Sequence, residues 1–180
     1  MVSLSFLLWV FIIIFAIIGS MRGWAKELLV VFSIVLALVT MTLLEAYLPF
    51  YQNAIDQAKP ATIFWLKSVL LLIFLFIGHQ LPKIPKLASS GRFMQFMFYD
   101  KALGAILGGF NGYLVFGTIW YFLHNTNYPL AYVLPPDVLT EAGRAALQMV
   151  EKLPPSWLMT TPTLYIAFAV CFVIVVVVFI

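Results

Sequence analysis

The chain has 180 residues, of which 64% are hydrophobic and 9% charged, with a formal net charge of +3. A soluble domain carries about a quarter charged residues, so this composition, with a mean hydropathy of +1.06, excludes a water-soluble fold. Ten glycines, ten prolines and one cysteine likewise exclude collagen-like, disordered and disulfide-rich classes.

What remains is an all-α integral membrane protein. A helix needs about 20 apolar residues to cross the hydrocarbon core. Apolar runs occur at Leu4 to Ile18, Leu28 to Leu48, Ala61 to Gly78, Ala102 to Leu123 and Thr163 to Ile180. They predict a bundle of about five transmembrane helices. The first run lacks the basic n-region and the small-x-small site of a signal peptide, so it reads as a mature span. Residues 1–123 would form a four-span membrane core, 124–161 an extracytoplasmic loop, and 162–180 an additional C-terminal helix.

Orientation follows from the basic residues of alternate loops. Arg22, Lys26, Lys83, Lys86, Arg92 and Lys101 fall on one side; Lys59, Arg144 and Lys152 fall on the other, with five acids. The first side is expected to be cytoplasmic. The basic residues lie in short loops, as topology requires, so nucleic acid is not an expected partner. Tyr47, Tyr51, Trp65, Trp120, Tyr121, Tyr128, Tyr132 and Trp157 would form an outer aromatic belt, with Trp24 and Tyr99 at the inner boundary.

Taken in chain order, the first motif is Gly19 to Glu27. Its glycines permit a tight reversal between antiparallel helices. Arg22 and Lys26 can reach lipid phosphate or a neighbouring acid, and Glu27 begins span two, where the helix dipole favours a carboxylate. Lys67 is an intramembrane charge, a functional candidate that is also near enough to the outer end to snorkel. His79 and His124 end spans three and four on opposite faces and cannot share a metal ion.

The stretch Phe93 to Tyr99 is too short to cross and is expected in the interface. Asp100 is placed to cap span four. Gly104, Gly108 and Gly112 follow at i, i+4 and i+8, a smooth stripe that lets backbones approach closely in lipid. Asn111 lies inside the span and needs a partner on a neighbouring helix. Arg22, Lys26, Glu27, Asp100 and Lys101 share one level, which predicts an ionic cluster joining spans two and four. In the outer loop, Asp137 suits a helix N-cap. An amphipathic helix is expected from about Val138 to Lys152, stopped by Pro154-Pro155, on the membrane surface or on the bundle. No HExxH, GxSxG, P-loop or cysteine pair occurs, so no enzyme activity and no metal site are expected.

Arg22-Gly23 followed by Glu27, together with Asp100, Lys101, Gly104 and Gly108 opening the fourth span, resembles the colicin V production protein family. A helical segment after span four fits the same pattern, and the likeness covers about residues 1 to 152. Family members often carry Arg-Gly where this chain has Asn111-Gly112, and their usual four spans make Thr163 to Ile180 an addition. The resemblance implies a multi-pass protein of the bacterial inner membrane, linked to bacteriocin production or export and to envelope maintenance.

Three functions fit these features. The first is a non-catalytic scaffold working through lipid, through other membrane subunits or through self-association. The second is an accessory subunit of a photosynthetic or respiratory complex, where alone a pigment or haem contact would be expected. The third is a small channel or transporter, disfavoured by the lack of mid-membrane acids.

Overall fold

In the computed structural model, residues 3–81 and 97–179 are described. Of the expected interfacial stretch Phe93 to Tyr99, residues 93–96 fall outside them, as do Lys83, Lys86 and Arg92, while Met97 to Tyr99 open a long helix. Ser3 opens the first helix, its Oγ accepting the Phe6 N–H at 3.1 Å, and α1 runs Leu4–Arg22. A one-residue break at Gly23 leads into α2, Trp24–Tyr47. Pro49 and Pro60 then start α3, Pro49–Asp56, and α4, Pro60–Gln80. Proline suits such first-turn positions, where its missing N–H would have no partner anyway. The long α5 covers Met97–Asn125, followed by α6, Glu141–Val150, α7, Pro154–Leu158, and α8, Thr163–Phe179.

Four of these helices, α1, α2, α4 and most of α5, are long and apolar enough to cross a membrane. α8 adds a fifth crossing only when joined to Glu141–Leu158 across a bend of 65°. The described residues are thus all-helical, with four to five long apolar helices, as suits a multi-pass membrane protein.

α2 is the centre of the bundle. It packs against α4, α5 and α8, and Val30, Ile34, Ala37, Leu38 and Met41 are fully buried. Its hydroxyls do not break this apolar core, because each bonds within its own helix. Ser33 donates to the Leu29 carbonyl at 2.9 Å, Thr40 to Leu36 at 2.7 Å and Thr42 to Leu38 at 3.0 Å. In lipid such a bond within the helix spares each hydroxyl the cost of a missing partner. Gly78 of α4 lies against Ser33, where an added Cβ would stand 2.7 Å from the serine Cβ. Phe32 stacks on Phe168 of α8 at 5.7 Å between ring centroids.

α1 follows a different rule. It is joined to α2 by one residue yet packs mainly along α5. The two run antiparallel, with Gly19 facing Gly104 and Gly108, and Phe15 and Phe11 facing Gly112. A Cβ at Gly108 would stand 2.8 Å from the Gly19 Cα, and one at Gly112 2.7 Å from the Phe11 carbonyl oxygen. Glycine here is a requirement of space. The small-residue stripe therefore faces a helix of the same chain. The opposite face of α1 exposes Phe6, Trp9, Ile13 and Ile17, a helical stripe suited to lipid tails.

The segment that follows α5 departs from expectation in three ways. α6 begins at Glu141, and its N-cap is Thr140, whose Oγ1 accepts the Gly143 N–H at 3.0 Å. Asp137 instead closes the preceding turn on the Leu139 N–H at 2.9 Å, so it is not the cap. Pro154-Pro155 do not simply end the helix; they begin α7. Finally, α6 and α7 pack on α1 and α5 well below the end of α5. Pro154 Cδ sits where a Cβ of Gly117 would be, 2.6 Å away, and the Tyr113 hydroxyl donates to the Lys152 carbonyl.

Gly108 and its neighbour Gly109 make a matched test. A Cβ at Gly109 would meet Ala16 at an ordinary 3.5 Å. Gly108→Ala should lower stability by about 1–3 kcal/mol, the usual range for overpacking, while Gly109→Ala should leave it unchanged or slightly raised. Unfolding of the purified protein in mixed detergent micelles would measure both.

Candidate functional site

The break at Gly23 creates a chemical problem. Its φ of 86° and ψ of 155° suit glycine and strain any L side chain. The first N–H groups of α2 then lack partners within their helix, and Gly23 has no side chain to offer. Asp100, in the first turn of α5, supplies the acceptor: its Oδ1 takes the Trp24 N–H at 3.2 Å. A Cβ on Gly23 would lie 2.6 Å from the other carboxylate oxygen. Asp100 thus caps α2 from across the bundle, not α5 as expected, and its charge complements the positive end of the α2 dipole.

One turn into α2, Glu27 is 1% exposed. Oε1 receives the Arg22 guanidinium at 2.6 Å. Oε2 accepts from the Asn111 amide at 2.8 Å, and the Glu27 carbonyl accepts from the same amide nitrogen at 3.1 Å. Asn111 is fully buried. Arg22 also stands within electrostatic reach of His79, at the end of α4. The expected ionic cluster therefore takes a narrower form. Arg22 pairs with Glu27 and not with Asp100, and the link between α2 and α5 is an amide–carboxylate bond. Lys26 and Lys101 are exposed and enter no ion pair among the described residues. Unpaired, a carboxylate at this depth would cost several kcal/mol; with both oxygens bonded it becomes a joint.

At the other end of the bundle, Lys67 does not simply snorkel. Its Nζ lies 2.7 Å from Glu45 Oε1 and 5.8 Å from the centre of the Phe122 ring. The Gln52 amide, from α3, donates to the Glu45 carbonyl at 2.5 Å. Burial pushes the Tyr51 phenol above its usual pKa, and the Glu45 charge adds to that. Sequence reasoning missed Glu45 as the partner. The signal was depth: α2 and α4 are antiparallel, and Glu45 and Lys67 both stand near the same boundary.

The aromatic belt needs a correction nearby. Trp120 and Tyr128 are 1% and 8% exposed, so they belong to the core. Tyr128, at a positive φ of 52°, folds back under the end of α5. Its hydroxyl receives the Trp120 indole N–H at 3.4 Å and lies 3.2 Å from His124 Nδ1. Burial raises the Tyr128 pKa above the ordinary phenol range. The pairing holds the His124 ring inside the bundle end. Among the described residues no three His, Cys, Asp or Glu side chains converge to hold a metal ion.

The family model described as colicin V production protein matches residues 4–142. No curated protein and no solved structure matches the chain. The match includes both polar joints, at Gly23 and Glu27, and the whole of α5. It stops at the start of α6, so most of the α6–α8 segment lies beyond it.

Double-mutant cycles would resolve the joints. Arg22 and Glu27 should couple strongly, and Arg22→Ala alone should cost about 3–5 kcal/mol by leaving a buried carboxylate unpaired. Glu27 and Asn111 should couple by about 0.6–1.7 kcal/mol, the range for hydrogen bonds between membrane helices. Arg22 and Asp100 should show no coupling. Equal coupling of Arg22 to both acids would refute this division.

Proposed function

This chain belongs to the colicin V production protein family, and on that footing we propose that it is a non-catalytic scaffold of the bacterial inner membrane. It supports export or envelope maintenance by holding a fixed helix arrangement against lipid and other membrane proteins. The observation that carries this reading is where the polar atoms at the Gly23 end go. Asp100 is committed to the Trp24 backbone, and Glu27 to Arg22 and Asn111. Each bond joins one helix to another, and among the described residues no nucleophile–base pair stands free beside them. In the sequence, the loops after the first and third apolar runs carry six of the Lys and Arg residues, and by the positive-inside rule this supports a cytoplasmic setting for them.

A scaffold of this kind acts through its outer faces. The exposed stripe on α1, from Phe6 to Ile17, and the apolar α8 are the surfaces it would present to lipid, to a second copy or to a neighbouring subunit. The stripe of Gly104, Gly108 and Gly112 is already used within the chain, so self-association would need another face. The test is extraction from the native membrane in mild detergent, followed by native electrophoresis, mass spectrometry and an absorption spectrum. The expected result is a colourless species, alone or with a few protein partners. Migration in a large assembly with pigment or haem absorbance would overturn the scaffold reading in favour of an accessory subunit.

A further inference from the structure

The Glu45–Lys67 pair lines a half-enclosed cleft of about 200 Å³ between the ends of α2, α4 and α5, with Tyr121, Phe122, Asn125 and Met159 around it. Depth identifies what the cleft can meet. Glu45 is two residues from the end of α2 at Tyr47. Tyr47, Phe50 and Trp65 are exposed at this end, as amphipathic and bulky rings are at the headgroup layer. The cleft therefore opens among lipid headgroups. Its volume is below the roughly 300–1,000 Å³ of sites for drug-sized ligands and suits a headgroup, not a whole lipid.

Charge narrows the choice further. The cleft offers one cation and one anion side by side, a neutral pair, with side-chain exposures of 22% for Lys67 and 36% for Glu45. An anionic headgroup would gain from Lys67 and be repelled by Glu45. A headgroup carrying both a phosphate and a primary ammonium matches the pair charge for charge. Two further polar groups stand beside it: the Asn125 amide and the Tyr121 hydroxyl form no hydrogen bond among the described residues. The Tyr51 hydroxyl, close enough for the Glu45 charge to act on it, is buried and forms no hydrogen bond among the described residues.

The geometry points to a specific site for a zwitterionic, ethanolamine-headed phospholipid in this cleft, its ammonium on Glu45 and its phosphate on Lys67. Phe122 shields the Lys67 ammonium from one side, so the phosphate approaches from the open side of the cleft. The site does not depend on the scaffold reading, and either can fail without the other.

Native mass spectrometry of the full chain in micelles containing equal amounts of phosphatidylethanolamine and phosphatidylglycerol tests this. The wild-type protein should retain one phosphatidylethanolamine about tenfold more often than one phosphatidylglycerol. Glu45→Gln should bring that ratio close to one by removing the ammonium partner and the repulsion together. Lys67→Gln should weaken retention of both lipids. The exchange variant, Glu45→Lys with Lys67→Glu, keeps a pair of opposite charges and should restore the preference. Circular dichroism identifies any variant that fails to fold, and the exchange variant then carries the test. A ratio unchanged in Glu45→Gln, or retention unchanged in Lys67→Gln, would overturn the site. Displacement of the bound lipid by equimolar water-soluble glycerophosphoethanolamine would overturn its assignment to a lipid.

Discussion

The buried carboxylate of Glu27 is the constraint around which the bundle is arranged. A charge at that depth is tolerated only when both its oxygens are bonded. One oxygen draws in Arg22 from the end of α1 and the other draws in Asn111 from α5. Those two demands fix which helices meet. α5 must lie against α2 with Asn111 level with Glu27, and α1 must end where Arg22 can turn back. Given that register, Asp100 arrives beside the bare start of α2 and caps it. The glycines of α5 arrive opposite α1 and let it settle at backbone contact. Packing of this kind supplies the association that hydrophobic burial cannot supply in lipid.

Much of this was legible in the sequence. The apolar runs located four of the long helices to within a few residues at most ends, because span length is set by bilayer thickness and not by local propensity. The spacing of Gly104, Gly108 and Gly112 signalled a close helix contact. The polar character of Asn111 required a partner on another helix, and Glu27 is that partner. The choice among partners was not legible. Arg22 has two acids at the same level, and only the backbone path through Gly23 decides that Glu27 is in reach while Asp100 is taken by an N–H group. Glu45 and Lys67 are separated by a loop and a short helix, so their pairing appears only once the two spans are set antiparallel.

The segment after α5 was hardest to read, for a different reason. Its helical periodicity was clear, but periodicity gives a face and not a depth. Asp137 and Thr140 are both good caps in sequence; Thr140 wins because Asp137 is used by the turn before it. The proline pair would normally end a helix, yet it also suits a first turn, and the buried notch at Gly117 accepts it there. That notch, not the amphipathic pattern, brings the segment down onto α5.

The splayed hairpin of α1 and α2 has a consequence for biogenesis. The two helices emerge from the ribosome together, but the partner that both of them need, α5, is still unsynthesised. Eighty-four residues separate Glu27 from Asn111, which at about 5–20 residues per second is about 4–17 s of translation. During that interval Glu27 must already be neutralised by something nearer. Arg22, five residues away, is available from the moment the hairpin forms. The local ion pair thus needs no later helix, whereas the Asn111 bond must wait for α5.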